Sequence, residues 1–320
     1  ITPYSALRPT HTMKGEHVVA THARNGMGGL IIGIQVQPAK NGFRQKNKIS
    51  IPKRALTLIA KEQVIGSDTS RVKAFALYQM DKNTSKQAIV PGPLILLTRN
   101  EPVSVNIVNK LKDPTSVHWH GLEIESYFDG VAGWGNKGAE LAPLVMPGDS
   151  FTVYITPPRA GTFIYHTHMH DMQLLAGLYG PLIVLKQGET YDPEKEKILL
   201  ISQGGPDYEH RKDLLNGTDK PDTLYLKAEK EYRFRLINIK LVGDMRVSLL
   251  QNAKLVNWKM IAKDGADIPW QQVVMKPAAQ DINIGETMDF SFQPTKQGHF
   301  NIEVRNIGNS KIIKMPVYVR

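Results

Sequence analysis

Two histidine pairs with the spacing His-x-His carry the strongest chemical signal in this sequence, His118 with His120 and His166 with His168. Each pair lies in a strand-like stretch, and a strand points every second side chain to the same face. The spacing therefore aims two imidazoles in one direction, twice. Four neutral imidazoles from two neighbouring strands form a metal site suited to copper and, less distinctively, to zinc. A single pair would be interpreted as two surface histidines with no shared function, whereas two pairs favour a metal site.

Composition narrows the class of protein that must position these histidines. The 320 residues suffice for two or three domains, and no apolar run approaches the roughly 18 residues of a membrane span. The absence of cysteine excludes disulfides, thiolate zinc sites and a cysteine nucleophile. The net charge of +10 comes from scattered lysines, which indicates a solvated basic surface and no nucleic-acid partner.

An internal repeat predicts the domain organisation. The segment that begins at Gly148 and reaches Phe163 matches the segment from Gly285 to Phe300, with both glycines and a proline aligned at a constant offset of 137 residues. A second match links residues 102–109 to 231–238 at an offset of 129. Each copy reads as alternating strands separated by Pro/Gly turns. We therefore expect two copies of one all-β domain, at residues 50–187 and 188–320.

The two copies differ where the chemistry would lie. At these offsets His118 and His120 align with Val247 and Leu249, while His166 and His168 align with Glu303 and Arg305. The fold itself therefore does not require the histidines, and the second copy is predicted to be structural. Helical periodicity is weak, and residues 169–177 are the best candidate for a helical turn. Trp119, between two histidines, should point away from the metal, and His170 is expected to face solvent.

A third, partial copy opens the chain. Residues 26–32 align with residues 177–183, the last strand of the first full copy. Residues 1–49 are therefore predicted to be the tail of a preceding domain followed by a polar linker.

Specific motifs now point to a family. Residues 117–121 (Val-His-Trp-His-Gly), Asp129-Gly130, residues 147–149, residues 161–168 and residues 177–184 together resemble the multicopper oxidases, which include the laccases. The similarity covers most of residues 88–187 and extends more loosely to the last domain. It implies two cupredoxin-like Greek-key β-sandwich domains, preceded by the remnant of a third, and copper as cofactor.

The resemblance also implies roles for individual residues. His118 resembles the type 2 copper ligand, and His120, His166 and His168 resemble type 3 ligands. Asp129 resembles an acid that helps to deliver protons during oxygen reduction. An Asp-Gly pair is equally typical of a plain turn, so both interpretations of Asp129 stand.

Departures from the family pattern matter as much as the match. The family cluster needs eight histidines, of which this chain presents four in motif, and the cysteine of the type 1 copper site is absent. His22 and Met27 keep the family's histidine-to-methionine interval, but His17 stands where the cysteine is expected. Either the type 1 site is degenerate, or the cysteine precedes Ile1; the second interpretation is favoured.

The leading hypothesis is a copper-dependent, laccase-like oxidoreductase that oxidises small reducing substrates and reduces O2 to water. This chain would supply half of the trinuclear copper cluster, and a missing N-terminal domain or another chain would supply the rest. The resemblance implies a periplasmic or secreted protein. The alternatives are a non-catalytic copper-binding module and a structural cupredoxin scaffold.

Overall fold

The computed structural model of the chain describes residues 2–3, 32–33, 51–64, 71–79, 88–308 and 311–320. Near the N-terminus it contains one antiparallel pair of short strands, β1 (Thr2–Pro3) and β2 (Ile32–Gly33). His17, His22 and Met27 lie outside the described residues. The assignment of residues 1–49 to the tail of a preceding domain stays a prediction.

The first sandwich is the β-structure between residues 54 and 185. Its strands are β3 (Arg54–Val64), β4 (Arg71–Gln79), β5 (Ile95–Thr98), β6 (Val103–Asn109), β7 (Val117–His120), β8 (Asn136–Lys137), β9 (Glu140–Leu141), β10 (Ser150–Ile155), β11 (Gly161–Thr167) and β12 (Tyr179–Leu185). A 3-10 turn spans Ser126–Phe128, and a helix, α1, spans Asp171–Leu175. The helical turn predicted within residues 169–177 is thereby confirmed.

Two sheets of the first sandwich enclose its core. Their strand orders are β10-β6-β3-β4 and β5-β12-β11-β7. Strand β6 alternates buried and half-buried residues, as expected for a strand with one face on a core. Buried side chains of both sheets, among them Leu56, Val105, Trp119 and Phe163, form one apolar cluster. Because β3 pairs in parallel with β6, and β5 with β12, the connections cross between the sheets in a Greek-key manner.

The second sandwich lies between residues 196 and 319. Its strands are β13 (Glu196–Gly204), β14 (Lys212–Leu215), β15 (Leu224–Leu226), β16 (Tyr232–Asn238), β17 (Met245–Gln251), β18 (Lys254–Leu255), β19 (Asn257–Lys263), β20 (Ala266–Asp267), β21 (Met275–Pro277), β22 (Ala279–Ile282), β23 (Thr287–Phe292), β24 (Gly298–Asn306) and β25 (Ile312–Val319), with a 3-10 turn at Trp270–Gln272. A separate apolar cluster fills it. The described part of the chain is nearly all β, which confirms the predicted fold class.

The sheet topology repeats between the two sandwiches. The order β23-β16-β13-β14 corresponds to β10-β6-β3-β4, and the order β15-β25-β24-β17 corresponds to β5-β12-β11-β7. Strands β6 and β16 have the offset of 129 residues found in the sequence, and β10 and β23 have the offset of 137. The duplication that the sequence indicates is thus present in the strand order.

One part of the predicted alignment is wrong. The sequence offset aligns His118 with Val247 and His120 with Leu249. In the structure, His118 pairs with His166 across the sheet. Glu303 is the counterpart of His166, and its partner across the sheet is Ser248. The counterpart of His118 is therefore Ser248, and the counterpart of His120 is Leu250. The physical reason is side-chain alternation, because buried Trp119 corresponds to buried Leu249 and neither can turn outward.

The two sandwiches pack through the outer face of the β12-β11-β7 region. Ile164 of β11 and Tyr179 of β12 form an apolar cluster with Leu200, Ile237 and Ile239 of the second sandwich. Beside this cluster, the fully buried Asp289 carboxylate accepts hydrogen bonds from the Thr162 hydroxyl and from the guanidinium groups of Arg233 and Arg235. Since Ile164 and His166 are two residues apart on one strand, the histidine face of β11 is the face that meets the second sandwich.

Candidate metal centre

Antiparallel pairing of β7 with β11 brings the two histidine segments together. His118 lies directly opposite His166, and His120 lies opposite Ile164. Val117 and Trp119 point the other way, into the core of the first sandwich. Trp119 is completely buried there, as the sequence predicts. Period-two alternation therefore places three imidazoles on one face of one strand pair.

Three imidazoles converge closely enough to share a metal. His118, His120 and His166 each offer one nitrogen, and these three atoms lie within 4.8 Å of one another. The His120 Nδ1 atom is 3.3 Å from the His166 Nε2 atom. The ring centre of His118 is 5.5 Å from that of His120 and 5.3 Å from that of His166.

His168 lies just beyond the end of β11. Its ring centre is 5.3 Å from that of His118 and 6.1 Å from that of His166, so its ring borders the cluster. The three-nitrogen group found among the described residues does not include it. The structure thus brings three of the four predicted ligands into one tight group and places the fourth beside them.

Asp129 contacts His118 through two different atoms. The Asp129 carbonyl oxygen is 2.8 Å from His118 Nδ1, and its carboxylate Oδ1 is 3.2 Å from the same nitrogen. The carboxylate side chain is 30% exposed, which leaves it accessible to solvent. Gly130 follows with a φ of +79°, and a Cβ atom there would collide with the Val117 carbonyl. Asp129 is therefore both a turn residue and the partner of His118.

The contacts of the rings indicate which nitrogens face the cluster. His118 Nδ1 is held by Asp129, and His166 Nδ1 is held by the Thr167 carbonyl at 2.8 Å. A histidine ligand commonly donates its second N–H to a carbonyl or carboxylate, which sets its tautomer and orientation. Nε2 of His118 and His166, and Nδ1 of His120, are therefore the atoms available to a metal.

The protonation states of His120 and His166 suit metal binding. Burial, reinforced by the positive potential of His118, lowers the pKa of His120. Burial, followed by the potentials of His118 and His120, lowers the pKa of His166 well below its ordinary value. Both rings are therefore neutral at neutral pH, and neutral imidazole is the form that binds a metal. An all-nitrogen donor set with no carboxylate in its tight group fits copper or zinc and disfavours magnesium or calcium.

A buried polar network that sequence reasoning missed ties these strands together. Gln173 of α1 is fully buried, and its Oε1 atom accepts hydrogen bonds from the Thr115 and Thr167 hydroxyls, each at 2.8 Å. Its amide donates to the Pro114 carbonyl at 2.7 Å. Thr115 precedes β7 and Thr167 ends β11, so this network fixes the two chain segments that carry the histidines. A glutamine five residues after His168 gave only a weak sequence signal.

The other described histidines are not part of the three-nitrogen group. His170 is the N-cap residue of α1, and its positive potential acts on Asp113. His210 is 70% exposed and its Nδ1 atom is 2.8 Å from the Asp207 carboxylate. The tight group thus contains three of the four histidines in the predicted pairs and neither His170 nor His210.

A cluster of imidazoles between two strands of a Greek-key sandwich is the kind of site that can hold a metal ion. Residues 78–189 match a family model described as multicopper oxidase, and this range runs from the end of β4 to just beyond the end of β12. The first sandwich is a multicopper oxidase domain, and the chain is related to the multicopper oxidases.

Curated relatives include oxidases and copper-resistance proteins. Laccase-1 of Thanatephorus cucumeris is 30% identical over 269 residues, covering 71% of this chain and 44% of that laccase. The Copper resistance protein A homolog of Pseudomonas syringae pv. tomato is 34% identical over 157 residues, covering 48% of this chain and 23% of that protein. The chain thus spans less than half the length of either relative.

Solved structures share the fold. McoA multicopper oxidase from Aquifex aeolicus superimposes with a TM-score of 0.68 at 18% identity, covering 84% of this chain and 62% of that chain. Blue Copper Oxidase from Nitrosomonas europaea gives a TM-score of 0.63 at 21% identity, covering 83% and 85%. The cupredoxin-like architecture of multicopper oxidases is therefore the fold of this chain. No helix among the described residues has the length and apolarity needed to span a membrane.

Proposed function

We propose that this chain is the part of a copper-dependent, laccase-like oxidase that supplies half of a trinuclear copper cluster. The oxidase would couple the oxidation of small reducing substrates to the reduction of O2 to water. The observation that supports this proposal most directly is the group of three imidazole nitrogens that lie within 4.8 Å of one another, in a domain that matches the multicopper oxidase family. The relatives, which include laccases and copper-resistance proteins, favour this function over a structural scaffold.

Each histidine has a proposed role. His118 is the type 2 copper ligand, and His120, His166 and His168 are type 3 ligands. Copper ions held by these residues would supply one-electron redox chemistry, and the reduction of O2 to water needs four electrons in all. The chain's own contribution is to hold the imidazole rings with their donor nitrogens converging, and to fix His118 and His166 through carbonyl contacts.

Asp129 is proposed to move protons at this site. Its Oδ1 atom is 3.2 Å from His118 Nδ1, and the side chain is partly exposed. A carboxylate that touches both a ligand ring and solvent can accept a proton from water and release it beside the cluster. The main-chain carbonyl of the same residue orients His118, so the two functions of Asp129 reside in different atoms.

The remaining copper ligands are proposed to come from a further domain or another chain. The sequence has no cysteine, so it cannot form a type 1 copper site with a thiolate. We also propose that the protein is periplasmic or secreted, on the basis of its resemblance to the laccases and copper-resistance oxidases.

Copper titration of the purified chain tests the proposal. We expect the metal-free chain to bind copper and to show nitrogen hyperfine structure in the electron paramagnetic resonance spectrum of the bound Cu(II). The His166→Ala substitution should abolish this high-affinity copper binding. His210→Ala is the matched control, because that imidazole is exposed and does not belong to the three-nitrogen group. A chain that binds no copper, or a His166→Ala variant that binds copper as the unmodified chain does, would refute the proposal.

A further inference from the structure

The second sandwich reaches the histidine cluster through one turn. Residues 283–286 connect β22 to β23, and Gly285 within this turn has a φ of +81°. A Cβ atom built at Gly285 would lie 3.0 Å from His120 Cε1 and 3.1 Å from His120 Nε2. These distances are shorter than ordinary van der Waals contact, so the glycine leaves room for the ring and nothing more.

The contact falls on the side of His120 that does not face the other histidines. His120 Nδ1 is the atom directed at His166 Nε2, at 3.3 Å. The Nε2–Cε1 edge of the same ring therefore faces Gly285. A ring held by its partner strand on one edge and by a turn on the other has little freedom to rotate.

Hydrogen bonds hold the turn rigidly in place. The Gly285 N–H donates to the Asn238 carbonyl at 2.7 Å, and the Asn238 N–H donates to the Glu286 carbonyl at 3.1 Å. The Asn283 N–H donates to the Glu286 carboxylate at 2.8 Å, and Lys263 pairs with that carboxylate at 2.7 Å. The turn is therefore a rigid surface.

An arginine joins the chain beside His120 to the second sandwich. Arg159 donates to the Gly121 carbonyl at 2.7 Å and to the Asp264 carbonyl at 2.6 Å. Asp264 in turn exchanges hydrogen bonds with Thr287, where the turn after Gly285 enters β23. The end of β7 and the turn at Gly285 are thus connected through consecutive hydrogen bonds.

We propose that the turn at residues 283–286 is a wall of the metal centre, and that Gly285 is a positioning residue for His120. The second sandwich, which carries no histidines at the corresponding strand positions, thereby takes part in metal binding. The consequence for copper rests on the proposed function. The consequence for the His120 ring holds in the metal-free protein as well.

The internal repeat offers a matched control. Gly148 occupies the equivalent turn of the first sandwich with a φ of +84°, and its N–H donates to the Asn109 carbonyl as that of Gly285 does to Asn238. A Cβ atom at Gly148 would meet nothing within 4 Å. Gly285→Ala and Gly148→Ala therefore carry the same backbone strain, and only the first pushes on His120. The pair Gly285→Asn and Gly148→Asn repeats the test with a residue that tolerates this backbone conformation.

Two measurements test the proposal. Imidazole nitrogen spectra of the metal-free protein should show His120 shifted in both Gly285 variants and unchanged in both Gly148 variants. The copper dissociation constant should rise on the order of tenfold in the Gly285 variants alone, as for other groups that orient metal ligands. Unchanged His120 resonances, or equal copper affinities for the two sets of variants, would overturn it. If the unmodified chain bound no copper, the proposed function would fail, and the metal-free spectra would still decide whether the wall exists.

Discussion

Replacing Gln173 with leucine should destabilise the first sandwich strongly, because Gln173 is the hub of the buried network behind the histidine strands. Leucine has a similar size but leaves the Thr115 and Thr167 hydroxyls without their shared acceptor and the Pro114 carbonyl without its donor. The two hydroxyls lie 3.4 Å apart and can bond to each other, which leaves one hydroxyl and one carbonyl unsatisfied.

Each buried polar group without a partner costs about 1–3 kcal/mol, so Gln173→Leu should lower the free energy of unfolding by about 3 kcal/mol. For a cooperative folding unit of about 150–250 residues, this loss of stability would lower the unfolding midpoint by about 6–12 °C. Calorimetry of the metal-free chain measures the change. Gln293→Leu is the control, since Gln293 is exposed and donates one bond, to the Glu229 carbonyl, and should change stability by less than about 0.5 kcal/mol. Equal stability of the two variants would refute the role of the network.

Three further substitutions and one ligand experiment follow from the same structure. Asp289→Asn should cost about 3–5 kcal/mol in chemical denaturation, because it removes the buried charge that two arginines share. Lys240→Met should cost a similar amount, since it leaves the Asp213 carboxylate, 2.9 Å from the Lys240 ammonium, without that partner. Asp129→Asn should leave copper stoichiometry unchanged in a titration, because the main-chain carbonyl still orients His118. Copper at one hundred times its dissociation constant should raise the free energy of unfolding by about 2.7 kcal/mol, and a chelator should remove that gain.

The histidine cluster was predictable because it depends on local geometry. The His-x-His spacing and the period of a strand require that His118 and His120 share a face, whatever the rest of the molecule does. The antiparallel pairing of β7 with β11 then needs only the Greek-key arrangement that the resemblance to the multicopper oxidases implies. The same rule places Trp119 in the core, where it is fully buried.

The proposed wall at Gly285 was not predictable from the sequence, because it depends on how the two sandwiches pack against each other. The sequence marks Gly285 as a turn residue of the repeat, but nothing local relates it to His120. The alignment of His118 with Val247 failed for a related reason. A constant offset cannot detect a one-residue change in loop length, whereas the side-chain alternation of β17 shows it at once. Gln173 went unnoticed because a single glutamine in a short helix has no periodic partner.

The duplication explains why, among the described residues, only the first sandwich carries the group of converging histidines. Strand β11 is buried at all seven positions, whereas its counterpart β24 alternates between buried and more exposed residues. The outer face of β24 accordingly carries charges, and Glu303 pairs with Lys314 at 3.1 Å. The outer face of β11 is covered by the second sandwich, and burial is the largest cause of the lowered pKa of His166. The second sandwich packs on the face of β11 that carries His166 and so contributes to the burial of this ring. We expect an isolated first sandwich to expose the His166 ring more and to bind copper less tightly.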